Sequence, residues 1–132
     1  MPASFFDTNV LVYIASGDTT KADQAEAALA GGGAISVQVL NEFTAVSRGK
    51  QAREWREIAE AISDVLTVVD PPLALTLELH AAARALAEDH RLSFYDALIV
   101  ASAIEAGCDT LFTEDLQHGR KFGSLTVVNP FV

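Results

Sequence analysis

Basic residues are scarce in this chain: 9 Lys and Arg stand against 18 Asp and Glu, a formal net charge of -9 at pH 7. That balance excludes broad electrostatic capture of nucleic acid, because a phosphate backbone is gripped by cations spread along its length. A polynucleotide partner must instead be held locally, or with the help of a metal ion. Cysteine is almost missing. The lone Cys108 cannot build a disulfide framework, so the expectation is a fold held by its core in a reducing, cytoplasmic setting. Long hydrophobic runs are missing as well. The apolar run 97–101 falls far short of the roughly 20 residues of a membrane span. Asp7 and Asn9 interrupt the N-terminal apolar stretch and no basic residue precedes Lys21, so no secretion signal is expected either. There is no internal repeat, no heptad series and no low-complexity tract beyond Gly31-Gly32-Gly33.

What remains is a chain built to fold. Half of its 132 residues are hydrophobic and 20% are charged, with a mean hydropathy of +0.25, too apolar for a disordered chain. A chain of this length should bury roughly two-thirds of its unfolded surface, which suits one domain over residues 1–132. Short apolar runs at 4–6, 34–36, 66–69, 110–113 and 126–129 read as strands. Between them, helices are expected at 8–15, 21–30, 37–48, 52–65, 75–89 and 94–106. Glycine stops or small polar caps mark their ends, and Pro71-Pro72 breaks the chain before the fifth. Alternation of helices with continuously apolar strands predicts a three-layer α/β/α domain around a central parallel sheet.

Ligands of such sheets gather beyond the carboxyl ends of the strands. Asp7 directly follows the first strand, and Asp115 lies two residues after the strand at 110–113. Either could simply cap the turn that follows. Asp96 belongs to a helix that is apolar nearly all round, where it shares a face with Ile99, Val100 and Ala103. Ser93 lies three residues before it, so Asp96 also fits a capping box, a role compatible with metal binding. Glu42 falls mid-helix, about 40° from Val46 and about 60° from Val39 around the axis, at the boundary of the apolar arc. One function would explain four acids in four elements. Clustered carboxylates chelate hard cations, and Mg²⁺ or Mn²⁺ would both neutralise a phosphodiester and assist its hydrolysis.

The four motifs Phe5-Phe6-Asp7-Thr8-Asn9-Val10-Leu11-Val12, Val39-Leu40-Asn41-Glu42-Phe43, Leu92-Ser93-Phe94-Tyr95-Asp96-Ala97-Leu98-Ile99 and Leu111-Phe112-Thr113-Glu114-Asp115-Leu116 occur in that order. Together they resemble PIN-domain nucleases, particularly the VapC-type toxins of bacterial toxin–antitoxin pairs, over essentially the whole chain. The resemblance implies a PIN-like fold and a Mg²⁺- or Mn²⁺-dependent endoribonuclease. It assigns metal-binding roles to Asp7, Glu42, Asp96 and Asp115, with Asn9 and Thr113 in support, and it implies a small antitoxin partner and a homodimer. Some relatives carry a further acid where this chain has Gln117, and Glu114 reads as a neighbour of the site rather than a ligand.

Other features carry less. Arg48, Lys50, Arg53 and Arg56, interleaved with Trp55, form the densest basic stretch and are candidates for RNA contact beside the plainer reading of a solvated helix start. Arg120-Lys121 could reach a phosphate near Asp115. His80, His90 and His118 lack ligand spacing, Cys108 has no nearby His, and the triple glycine lacks the Lys-Ser/Thr of a phosphate loop. Two rival functions fit parts of the pattern. One is a catalytically silent PIN-like module that binds RNA or protein; the other is a phosphotransfer domain with Asp7 as covalent nucleophile, for which only Lys121 offers a pairing cation in the last strands.

Overall fold

The computed structural model describes residues 3–132. Along the chain run β1 (Ser4–Phe6), α1 (Thr8–Ile14), α2 (Thr19–Leu29), α3 (Val37–Gly49), α4 (Trp55–Leu66), α5 (Leu77–His90), α6 (Phe94–Glu105), β2 (Thr110–Phe112), β3 (Lys121–Phe122) and β4 (Leu125–Val128). Short polar side chains set most helix starts. The Asp7, Asp18, Ser36, Thr76 and Ser93 side chains each accept a bond from a backbone N–H of the first turn they cap. The fourth helix begins three residues later than expected, because Glu54 and Glu57 form a reciprocal capping box there.

The sheet order is β1-β2-β4-β3. β1, β2 and β4 are parallel, in register Phe5 to Leu111 to Val127, so their carboxyl ends share one edge. β3 is antiparallel to β4 and was not expected from the sequence. It pairs across a two-residue turn, Gly123-Ser124, in which Gly123 takes φ 63°, the left-handed conformation such hairpins require. Two expected strands are absent as such. Residues 34–36 make only isolated bridges, Ala34 to Phe5 and Ser36 to Leu73. Residues 66–69 close α4 instead, since the carbonyl of Val65 accepts from the N–H groups of both Val68 and Val69. The chain next to 34–36 is the segment around Pro71-Pro72, whose prolines donate nothing to a ladder; Asp70 and Leu73 supply its N–H bonds, to Gly33 and Ile35.

Helix α6 explains its own composition. One side packs Ile99, Val100 and Ala103 with Phe5, Phe6, Leu111 and Val127 of the sheet; the other places Leu98 and Ala101 against Leu79 and Ala83 of α5. It therefore lies between the sheet and an outer helix, which is why an apolar surface all round is stable there. Val10 and Leu11 of α1 and Val39 and Phe43 of α3 complete the main core. The result is a mixed α/β/α architecture, and among the described residues no helix is long and apolar enough to cross a membrane.

The triple glycine is more than a flexible connection. A Cβ on Gly33, at φ 148°, would lie 2.5 Å from the Ser4 carbonyl oxygen and 2.7 Å from the Phe6 ring, whereas one on Gly31 would meet nothing within 4 Å. Gly33→Ala should therefore lower unfolding free energy by about 2 kcal/mol or more, through steric and backbone strain. Gly31→Ala should be near neutral. Denaturant unfolding of the two variants checks the contrast.

Candidate active site

Asp7 leaves β1 as the cap of α1 and is buried. Its Oδ1 accepts from the Thr8 N–H at 2.6 Å, and its Oδ2 accepts from the Thr113 hydroxyl, just beyond β2, at 2.8 Å. Asn9 links α1 to the turn after β2. Its amide Nδ2 donates to Thr113 Oγ1 and to Asp115 Oδ2, each at 3.2 Å, while its Oδ1 accepts from the Glu114 N–H at 3.3 Å. The Asp115 N–H donates to Thr113 Oγ1 at 3.1 Å, so the turn after β2 is tied to α1 at several points. Glu42 reaches the same place from α3, where the Thr8 hydroxyl donates to it at 3.5 Å. Asp96, half-buried in the first turn of α6, stands near enough for its charge to act on both Glu42 and Asp115. Ser93 caps the Asp96 N–H, but no return bond from the Asp96 carboxylate is among the hydrogen bonds of the described residues.

A cleft of about 370 Å³ opens on this edge, lined by Thr8, Asn9, Glu42, Glu114 and Asp115 together with Lys50. Asp7, Glu42 and Asp115 form no ion pair among the described residues. Burial pushes the Asp7 carboxyl up to about 7 against the opposing hydrogen bonds from Thr113 and Thr8, and the charges of Asp115 and Glu42 add to the rise. Glu42 is raised by burial and by Asp115 and Asp96; Asp115 is raised by partial burial and by Asp96 and Glu114. Every charge acting on these three groups is another carboxylate. The ion pair found among the described residues joins Lys21 to Glu114, none of the four. Oxygen donors with unbalanced negative charge fit a hard divalent cation, and the two bonds to Asp7 leave lone pairs on both its oxygens. As they stand, no three His, Cys, Asp or Glu side chains among the described residues are grouped closely enough to enclose an ion.

Residues 4–121 match the family model of the PIN domain. This chain belongs to the PIN-domain family. Solved structures agree on the fold. A chain of a toxin–antitoxin complex from Klebsiella pneumoniae is 22% identical, with a TM-score of 0.72 over 96% of this chain and 97% of that one. A chain of VapBC2 from Rickettsia felis, bound to a DNA fragment from their promoter, is 18% identical, with a TM-score of 0.63 over 94% and 96%. No curated protein sequence gives a significant match.

The basic candidates of this PIN domain separate in the structure. Lys50 lines the cleft. Arg53 does not present a free guanidinium: it donates to the carbonyl of Ala15 and to Gln51 Oε1, fastening the segment after α3 to the end of α1. Arg48 donates to the Arg53 carbonyl at 3.0 Å and lies over the exposed Trp55 ring at 4.8 Å. Arg56 is exposed on α4. Arg120 donates to the His90 carbonyl and stacks on Phe122, and Lys121 belongs to β3, so the pair is not arranged around Asp115. Tyr13 and Lys21 were missed by sequence reading. Tyr13 lines the cleft, donates to Glu114 Oε1 at 2.9 Å and accepts from Lys21 at 3.1 Å. A signal existed: Tyr13 lies four residues after Asn9, on the same face of α1, and is a hydroxyl-bearing ring in an otherwise apolar stretch.

The raised Asp7 carboxyl predicts a specific pH dependence. Its native form holds a proton that the unfolded chain, with an ordinary Asp, has already lost, so metal-free stability falls as pH rises from about 4 to about 7 and then levels. The slope attributable to Asp7 approaches about 1.4 kcal/mol per pH unit within that window. Asp7→Asn should flatten this part of the profile. Chemical unfolding of both proteins in EDTA at pH 5, 6, 7 and 8 measures the difference.

Proposed function

We propose that this PIN domain is a Mg²⁺- or Mn²⁺-dependent endoribonuclease, the toxin of a toxin–antitoxin pair. The observation that carries the reading is the site at the carboxyl ends of β1 and β2, where Asp7, Glu42 and Asp115 come together, the charge of Asp96 acts on the last two, and none of the four forms an ion pair among the described residues. Asp7, Glu42, Asp96 and Asp115 are the metal-holding residues. When bound, the ion supplies Lewis acidity toward a phosphodiester oxygen and activation of the attacking water. Thr113 holds Asp7, and Asn9 turns the Asp115 carboxylate and anchors the Thr113–Asp115 turn. Lys50 lines the cleft, which supports a role for it in holding an RNA phosphate. Structural likeness to chains from toxin–antitoxin complexes supports a small antitoxin as partner, and exposed Leu66 at the end of α4, Val68 just after it, Leu77 on α5 and Tyr95 on α6 offer apolar area for it or for a second copy. Covalent phosphotransfer through Asp7 is disfavoured, since that carboxyl is buried and Lys121, the pairing cation it would use, lies in β3 at the opposite edge of the sheet from β1.

Cleavage of total RNA should require Mn²⁺ or Mg²⁺ and vanish in EDTA. Undiminished cleavage in EDTA contradicts the metal reading, and no cleavage under any condition favours the silent RNA- or protein-binding module. Within the active enzyme, Lys50→Ala should weaken the dependence of log kcat/KM on log salt by about 0.7, the increment of one phosphate contact on a single strand. Arg53→Ala should leave that slope intact and lower the melting temperature instead, because its bonds are internal. Steady-state kinetics over a salt series, with melting curves alongside, separates the two.

A further inference from the structure

Glu114 stands beside Asp115 and lines the same cleft, yet each of its carboxylate oxygens faces a partner outside the four-acid set. Oε1 accepts from the Tyr13 hydroxyl at 2.9 Å, and Oε2 faces the Lys21 ammonium at 3.8 Å. Its backbone N–H is held by Asn9 Oδ1. Residue 114 is thus fastened at three points by α1 and α2, and none of these bonds runs to a residue of the four-acid set. Tyr13 is itself locked: it accepts from Lys21 at 3.1 Å, its ring meets Phe131 edge-on at 4.7 Å, and the same ammonium lies 4.5 Å over the ring.

We propose that Lys21, Tyr13 and Glu114 form a strut that positions Asp115 for the metal, with Glu114 withdrawn from coordination by its own partners. The inference rests on the metal-holding role given to Asp115 above. Asp115 needs such a strut because it is the most open of the acids and is repelled by Asp96 and Glu114, with one side-chain bond, from Asn9, to oppose them. Anchoring Glu114 fixes the peptide from which Asp115 hangs, and the Lys21 charge offsets the Glu114 carboxylate that would otherwise add to the repulsion or compete for the ion. Lys21, Tyr13 and Glu114 are positioning residues; they act through Asp115 and touch neither ion nor substrate.

The test reads metal binding rather than catalysis, by titrating Mn²⁺ into the full chain and following the EPR signal of the free ion. Tyr13→Phe removes the hydroxyl while keeping the ring against Phe131, and Lys21→Met removes the charge while keeping most of the stem. Each should weaken Mn²⁺ binding by about 10-fold, the usual lower range for groups that orient a ligand, with the helical signal in EDTA unchanged. Asp115→Asn should weaken it at least as much, and adding Tyr13→Phe to Asp115→Asn should produce no further loss. If Asp115→Asn weakens binding while Tyr13→Phe and Lys21→Met bind like the parent, the strut is overturned and the metal reading stands. A double variant with the losses simply multiplied also overturns it, since Tyr13 then acts by another route. Should Asp115→Asn bind Mn²⁺ like the parent, the metal role of Asp115 and the strut fall together.

Discussion

The hydrogen bond from Thr113 to Asp7 joins the ends of two neighbouring parallel strands, and the site is arranged around it. Asp7 is the last residue the sheet delivers on β1 and also the first residue of a helix, so its carboxylate caps α1 with one oxygen and receives Thr113 with the other. Because both partners are donors, they favour the charged carboxylate in a place where burial disfavours it. The compromise is a carboxyl poised near neutrality, between a buried acid and a free anion. Removing Thr113 would take away a bond to Asp7 and the seat used by the Asn9 amide and the Asp115 N–H.

Around that bond the fold accepts an electrostatic cost. Glu42 and Asp115 are also pushed up, first by burial and then by neighbouring carboxylates, Asp115 and Asp96 for Glu42 and Asp96 and Glu114 for Asp115. A protein selected for stability alone would place a lysine or arginine in the cleft's interior; here Lys21 is committed to Glu114, Arg53 to backbone and Gln51, and Lys50 remains at the cleft wall. An uncompensated cluster of this kind gains stability when a cation arrives, because binding to the folded form alone shifts the folding equilibrium. On the proposed function, an ion held here would also reconcile a net charge of -9 with a polyanionic substrate, by adding positive charge at the phosphate to that of Lys50.

Much of this could be read from the chain because it is local. Ser93 announced its helix, the all-apolar pattern of α6 announced a buried helix, and acids placed just after strands marked the carboxyl edge of the sheet. What could not be read depends on partners distant in sequence or on competing local bonds. The β-branched residues Val68 and Val69 suggest a strand, but the Val65 carbonyl captures their N–H groups for the end of α4. β3 is two residues long, too short for any periodicity, and exists because Gly123 permits the turn. Arg53 looks like a phosphate contact until its bond to Ala15, 38 residues away, is seen. Tyr13 meets Glu114 across 101 residues. Charge is visible in a sequence, whereas the partner that consumes it is not.

The central claim is that the four carboxylates are one metal-holding unit rather than four separate caps. Melting of the parent and of Asp96→Asn, each in EDTA and in Mn²⁺, tests it most directly, since Asp96 shares no hydrogen bond with the other three acids in this structure and couples to Glu42 and Asp115 through charge. Relief of repulsion should make Asp96→Asn melt higher than the parent in EDTA, and loss of a ligand should make it gain less from Mn²⁺. An Asp96→Asn protein that melts lower in EDTA and gains as much from Mn²⁺ as the parent would contradict the account, leaving Asp96 a structural residue at the start of its helix.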